Sequence, residues 1–119
     1  MHTSRAWKSL AWAVSGFVVC KIGVLLNVLA EKVNGGFMPV FAAECSEHSG
    51  AKIDYVHACA SGTTRFVILT DWIQIPGFMI SPGDILILGG LLVMFVMACA
   101  TIFSWANILR RNIVRLSTR

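Results

Sequence analysis

Two long apolar runs dominate the chain, and a mixed, loop-like segment separates them. The first covers residues 10–30 and is broken by a single charge, Lys21. At about 1.5 Å of rise per residue, a helix of that length crosses a hydrocarbon layer about 30 Å thick. Trp7 and Trp12 stand at its start, where amphipathic rings settle at a membrane interface. The second run follows Ser81-Pro82-Gly83-Asp84 and continues to residue 108. Ser81 reads as its N-cap, Pro82 as the first helical residue, and Asp84 as an acid favoured by the helix dipole. Trp105 and Asn107 mark its far end, and Arg110 and Arg111 stop it.

The pattern predicts an all-α membrane protein, a two-helix transmembrane hairpin. Its expected parts are an N-terminus (1–9), a span (10–30), an extracytoplasmic loop (31–81), a second span (82–108) and a basic tail (109–119). A basic start before an apolar run also resembles a signal peptide, but the length of the run and Lys21 within it favour an uncleaved span.

The loop is not uniform. Asn34-Gly35-Gly36 breaks the first helix. Residues 50–60 are expected to form one short helix with Ile53, Val56 and Ala60 on its inner side. Phe66-Val67-Ile68-Leu69 and Trp72-Ile73-Gln74-Ile75 are β-branched and aromatic, and read as short strands ended by a Pro76-Gly77 turn. A stretch this apolar either folds back on the helix tops and the outer leaflet or packs on a partner protein.

Charge sets the orientation. Arg5 and Lys8 precede the first run, and Arg110, Arg111, Arg115 and Arg119 follow the second. Between the runs, Lys32, Lys52 and Arg65 are outnumbered by Glu31, Glu44, Glu47, Asp54 and Asp71. Basic flanks around an acidic loop are expected to leave both termini of a multi-pass membrane protein in the cytoplasm. Hydrophobic residues make up 56% of the chain and charged residues 13%, about half the charged share of a soluble domain. The basic residues are split between the ends, so nucleic acid is not an expected partner. The bilayer and other membrane subunits are.

Four features invite a chemical reading. Cys45 and Cys59 lie on the oxidising side of the predicted topology and suit a disulfide. With His48 and His57 they also make a four-ligand alternative for zinc, and free thiols are the third reading. Lys21 is costly in a span, by about 2.5–3.5 kcal/mol on insertion scales. It either pairs with an acid on a partner, snorkels to an interface, or serves a ligand or proton.

Gly16, Cys20, Gly23 and Asn27 form one small, weakly polar face, and Gly90, Met94, Met97 and Thr101 do much the same on the second helix. Both are expected packing seams. Asp71 and Asp84 are a carboxylate pair of the kind that activates water; the simpler reading makes Asp84 a cap and Asp71 a turn anchor. Histidine is absent from both runs, and so are Cys-x-x-Cys, a phosphate-binding glycine loop and a nucleophile elbow. No cofactor is expected, and bound lipid is compatible with the composition.

Asn34-Gly35-Gly36-Phe37-Met38-Pro39-Val40, His57, Thr64, Thr70-Asp71-Trp72-Ile73-Gln74-Ile75-Pro76 and Ile80-Ser81-Pro82-Gly83-Asp84-Ile85-Leu86-Ile87 resemble a family of small bacterial membrane proteins classified as a domain of unknown function. The resemblance implies the order helix, loop, Gly-Asp motif, helix. It makes Asn34, Gly35, Gly36, Pro39, Asp71, Pro82, Gly83 and Asp84 structural loop residues, and it implies no catalytic role. The Cys45 and Cys59 pair lies outside the pattern. A fainter similarity to lipoprotein signal peptidases lacks the four helices of those enzymes. The function expected from these readings is a non-catalytic accessory subunit of a larger membrane complex. The alternatives are a homo-oligomeric channel or transporter-like assembly using Lys21 and Asn27, and a membrane aspartyl hydrolase using Asp71 and Asp84.

Overall fold

The computed structural model describes residues 3–117; His2, and Arg119 of the expected basic tail, lie outside the described residues. Two long helices, α1 (Thr3–Val33) and α2 (Pro82–Ser117), run against each other and give an elongated body of 78 × 25 × 19 Å. Between them lie four three-residue strands: β1 (Met38–Val40), β2 (His57–Cys59), β3 (Ile73–Ile75) and β4 (Phe78–Ile80). Two short 3-10 helices, Ala43–Ser46 and Val67–Leu69, complete the loop.

The helices meet through glycine. Gly16 lies against Gly90, and Gly23 against Gly83, so backbones rather than side chains set the approach. A Cβ on Gly16 would come 2.8 Å from the Gly90 carbonyl, and one on Gly90 would come 2.6 Å from the Cys20 nitrogen. No real Cβ sits so close. Small residues in such register let two helices gain van der Waals contact along their length. The predicted α1 face is therefore the seam, and Gly90 and Met94 answer it from α2. Gly83, expected only as part of the helix start, belongs to the same seam, whereas Thr101 is exposed and turns its hydroxyl back to the Met97 carbonyl at 2.8 Å.

Away from this seam both helices are bare. Only 17% of the most apolar stretch of α1 and 6% of that of α2 is buried, the reverse of a core helix in a soluble protein. Both are long and apolar enough to cross a membrane.

The loop folds around a parallel pair, β1 with β2, in the register Met38 to His57, Pro39 to Ala58 and Val40 to Cys59. Asp71 extends the ribbon on the other side of β1. Its N–H donates to the Pro39 carbonyl at 3.0 Å, and its carbonyl accepts from Phe41 N–H at 2.9 Å. Pro39, with no N–H of its own, supplies only an acceptor there. Met38, Val40 and Cys59 are buried, and β1 packs on α1.

Two sequence expectations fail here. Residues 50–60 do not form a helix. Asp54 Oδ1 accepts the N–H groups of Val56 and His57, each at 2.7 Å, and this turn sends the chain back so that Lys52 bridges Ala58 and residues 57–59 pair with β1. A short acidic side chain competing for backbone N–H groups is what diverts the segment from a helix.

Residues 66–69 do not form a strand either. They make the 3-10 turn Val67–Leu69, whose carbonyls are claimed by side chains: Thr70 Oγ1 donates to Val67 at 2.6 Å and Trp72 Nε1 to Ile68 at 3.1 Å. This turn sits on both α1 and α2 and lids the pair. The strand expected around Ile73 does form, and β3 turns through Pro76-Gly77 into antiparallel β4, with Gly77 at φ 83°. A positive φ after proline is the geometry that asks for glycine.

Candidate functional site

The helix pair is closed at the loop end by a polar cluster. Ser81, fully buried, precedes α2; its hydroxyl lies 2.8 Å from Asn27 Oδ1 and 2.9 Å from Asp84 Oδ2. Asp84 Oδ2 accepts Ser81 N–H at 2.9 Å, and Asp84 N–H reaches Ser81 Oγ at 3.1 Å. This is a capping box, in which cap and third helical residue satisfy each other's backbone donors. Asn27 Nδ2 then donates to Asp84 Oδ1 at 2.7 Å, tying α1 to the box. The sequence marked Ser81, Asp84 and Asn27 singly; only the antiparallel packing joins them. Both carboxylate oxygens of Asp84 are thereby engaged.

Asp71 does not join that cluster through a hydrogen bond. It is 4% exposed, and His57 Nε2 stands 3.6 Å from its Oδ2, an ion-pair separation when the imidazole is protonated. The other side of the ring, Nδ1, is 2.8 Å from Asp54 Oδ2. An Asp54–His57–Asp71 row results. Its two carboxyls titrate apart.

Burial, then the negative charges of Asp84 and Glu31, push Asp71 up to about 6, with His57 acting the other way. The Val56 N–H, the His57 ring and the His57 N–H hold exposed Asp54 at about 2. Asp71 Oδ1 is buried and accepts no hydrogen bond from the described residues. Sequence reading paired Asp71 with Asp84 and missed His57 as its neighbour, because the contact exists only once β2 lies beside β1 and β1 beside Asp71.

Cys45 and Cys59 bring their sulfurs to bonding distance, with Cα atoms 5.3 Å apart. His57 is occupied by Asp54, and among the described residues no group of three or more His, Cys, Asp or Glu side chains is placed to hold a metal. The zinc alternative through Cys45, His48, His57 and Cys59 is therefore not assembled.

Asn34 closes its turn doubly: Nδ2 donates to the Ala30 carbonyl at 2.8 Å and to the Arg65 carbonyl at 2.9 Å, while Oδ1 accepts Arg65 N–H at 2.7 Å. Gly35 and Gly36 follow at φ 80° and 87°, conformations open to glycine. Lys21 lies on the exposed side of α1. Its ammonium sits 5.5 Å from the centre of the Phe17 ring, and no acid among the described residues pairs with it.

The molecule is thus a pair of bare apolar helices zipped by glycine and capped by a small loop domain that one cysteine pair ties together. The chain belongs to a family of unknown function, DUF5317, whose model matches residues 8–97. It is also similar to an uncharacterized protein of Thermotoga maritima, 32% identical over 89 residues, which covers 71% of this chain. The chain spans about half that relative's length, 52%. No solved structure matches.

Proposed function

We propose that this chain is a non-catalytic accessory subunit of a larger membrane protein complex. In this reading it is a hairpin that crosses a bacterial cytoplasmic membrane twice with both ends in the cytoplasm. The observation that carries the reading is Lys21. It is exposed on α1 amid Phe17, Val18, Ile22 and Leu25, all themselves exposed. A helix side chain leans toward the N-terminus of its helix, and the Lys21 ammonium does so, over Phe17 one turn back. An ammonium left in hydrocarbon is costly. A carboxylate on a neighbouring membrane helix offsets that cost and gives the assembly its register.

The carboxylates support the same reading. Asp84 has both oxygens committed to capping and to Asn27, which is how a structural acid is used. The basic ends, Lys8 with Arg110 and Arg111, suit an anionic inner leaflet, where each contributes about 1 kcal/mol.

Native mass spectrometry of the full chain extracted in mild detergent tests the proposal. Stoichiometric co-purification with a larger membrane protein, lost on Lys21→Leu, is the expected result. A pure homo-oligomer would favour the channel or transporter-like alternative. A lone monomer with turnover that depends on Asp71 and Asp84 would favour the hydrolase.

A further inference from the structure

We propose that the loop domain carries a binding pocket for a phosphate-bearing anion, with Lys52 and Arg65 as the recognising charges. The loop between the helices is acidic on balance, yet both of its basic residues, Lys52 and Arg65, line one cavity of about 590 Å³. No acidic residue is among the described residues that line it. Neither side chain forms an ion pair within the described residues: Lys52 Nζ rests 4.4 Å from the centre of the Phe37 ring, also in the cavity wall. Lys52 also lines a neighbouring opening with Asp54, but that carboxylate is engaged by the His57 ring. Two cations lining one cavity draw an anion to it.

The backbones that carry these two exposed side chains are held in place. The Asn34 amide clasps both backbone groups of Arg65, at 2.7 and 2.9 Å, and fixes it to the end of α1. Lys52 is set by its bridge to Ala58, and Cys59, joined to the Cys45 sulfur, anchors the next residue of β2. The far wall is a hydroxyl turn. Thr64 Oγ1 accepts Ser61 N–H at 2.9 Å, and Ser61 Oγ and Thr63 Oγ1 lie 2.9 Å apart.

The end of α1, whose carbonyls would repel an anion, is already quenched. The Glu31 carbonyl accepts Asn34 and Gly36 N–H at 3.1 and 2.8 Å, and the Ala30 carbonyl accepts the Asn34 amide.

An arginine, a lysine, a serine and two threonines lining one space offer a donor set suited to a tetrahedral oxyanion. The volume exceeds one phosphate ion and falls in the range of small-ligand sites, which leaves room for a substituent on the phosphate. Two sources share this chemistry: a soluble phosphorylated compound, and the headgroup of an anionic phospholipid, which the position beside Val33 at the loop end of α1 would meet. The pocket requires no partner subunit, so it stands independently of the accessory-subunit reading.

The test uses the full chain in an uncharged detergent. Inorganic phosphate and glycerol phosphate are titrated by calorimetry, and retention of added phosphatidylglycerol is read by native mass spectrometry. The variants are Lys52→Gln, Arg65→Gln and, as a control, Lys32→Gln, a basic residue in the last turn of α1 that does not line the cavity.

Lys52→Gln and Arg65→Gln are each expected to weaken binding about tenfold or more, the effect of losing a charged hydrogen bond, and Lys32→Gln to leave it within twofold. Unchanged Cys45–Cys59 linkage by non-reducing peptide mapping keeps the comparison among folded proteins. Binding of phosphatidylglycerol alone assigns the lipid source, and binding of the soluble phosphates assigns the other; both support the pocket. Absence of binding by all three probes, or equal loss in Lys32→Gln, overturns it.

Discussion

Asn27 and Asp84, 57 positions apart in the chain, meet across the two helices in a 2.7 Å hydrogen bond. The bond links a packing face of α1 to the capping box of α2, so cap and helix pairing are coupled. Asn27→Leu removes a donor to a charged acceptor and is expected to destabilise by about 1.5–3 kcal/mol. Asp84→Ala should cost at least as much, since it also strips Ser81 N–H of its partner. The double variant should cost less than the two singles together, because they share the bond. Thermal unfolding in detergent, followed by circular dichroism, measures all three; strict additivity would show that the two residues act separately.

Adjacent glycines on α2 offer a sharper contrast. Gly90 faces Gly16 and Cys20 at distances a Cβ cannot occupy, whereas Gly89 has nothing within 4 Å of where a Cβ would stand. Gly90→Ala should therefore push the helices apart and lower the unfolding temperature. Gly89→Ala should be neutral or stabilise by up to about 1 kcal/mol through helix propensity. The same chemical change one residue apart should thus move stability in opposite directions.

Asp71 predicts a pH dependence. Its folded pKa, about 6, is raised from 3.8, so the folded state binds a proton more tightly than the unfolded chain. The stability this contributes is fully present below about pH 4 and is lost as pH rises through about 6. Asp84 and Glu31 oppose the ionised form, and His57 offsets them only while protonated. Asp71→Asn, neutral at every pH, should flatten this part of the stability profile between pH 4 and 7. An unchanged slope in urea titrations across that interval would assign the dependence to another group.

The cysteines make a fourth prediction. Cys45 and Cys59 are separated by 14 in sequence, a loop whose closure stabilises by about 3 kcal/mol in the chain-entropy model. Reductant, or Cys45→Ser with Cys59→Ser, should loosen β2 and expose Cys59, seen as faster hydrogen exchange at residues 57–60. The helix pairing at Gly16 and Gly90 should persist. Zinc bound stoichiometrically to a reduced protein would reverse this account of the pair.

Features that depend on local pattern could be read along the chain. Two apolar runs of bilayer length, the Ser81-Pro82 start of α2, the Asn34-Gly35-Gly36 break, the Pro76-Gly77 turn and the α1 glycine face were all legible, because each is set by neighbours within a turn or two. Residues 50–60 and 66–69 were misread for the complementary reason. Their apolar content suited a helix and a strand, but Asp54, Thr70 and Trp72 compete for the backbone groups those elements need.

Which residues share a site follows from how distant segments pack. Asn27 reaches Asp84 because antiparallel glycines bring the helices close. His57 reaches Asp71 because β1 lies between their backbones. Lys52 and Arg65, two separate charges along the chain, line one cavity once Asn34 holds the Arg65 backbone to the end of α1. Hydrophobic periodicity reports which way a side chain points within its own element. It carries no information on what the chain brings to meet it.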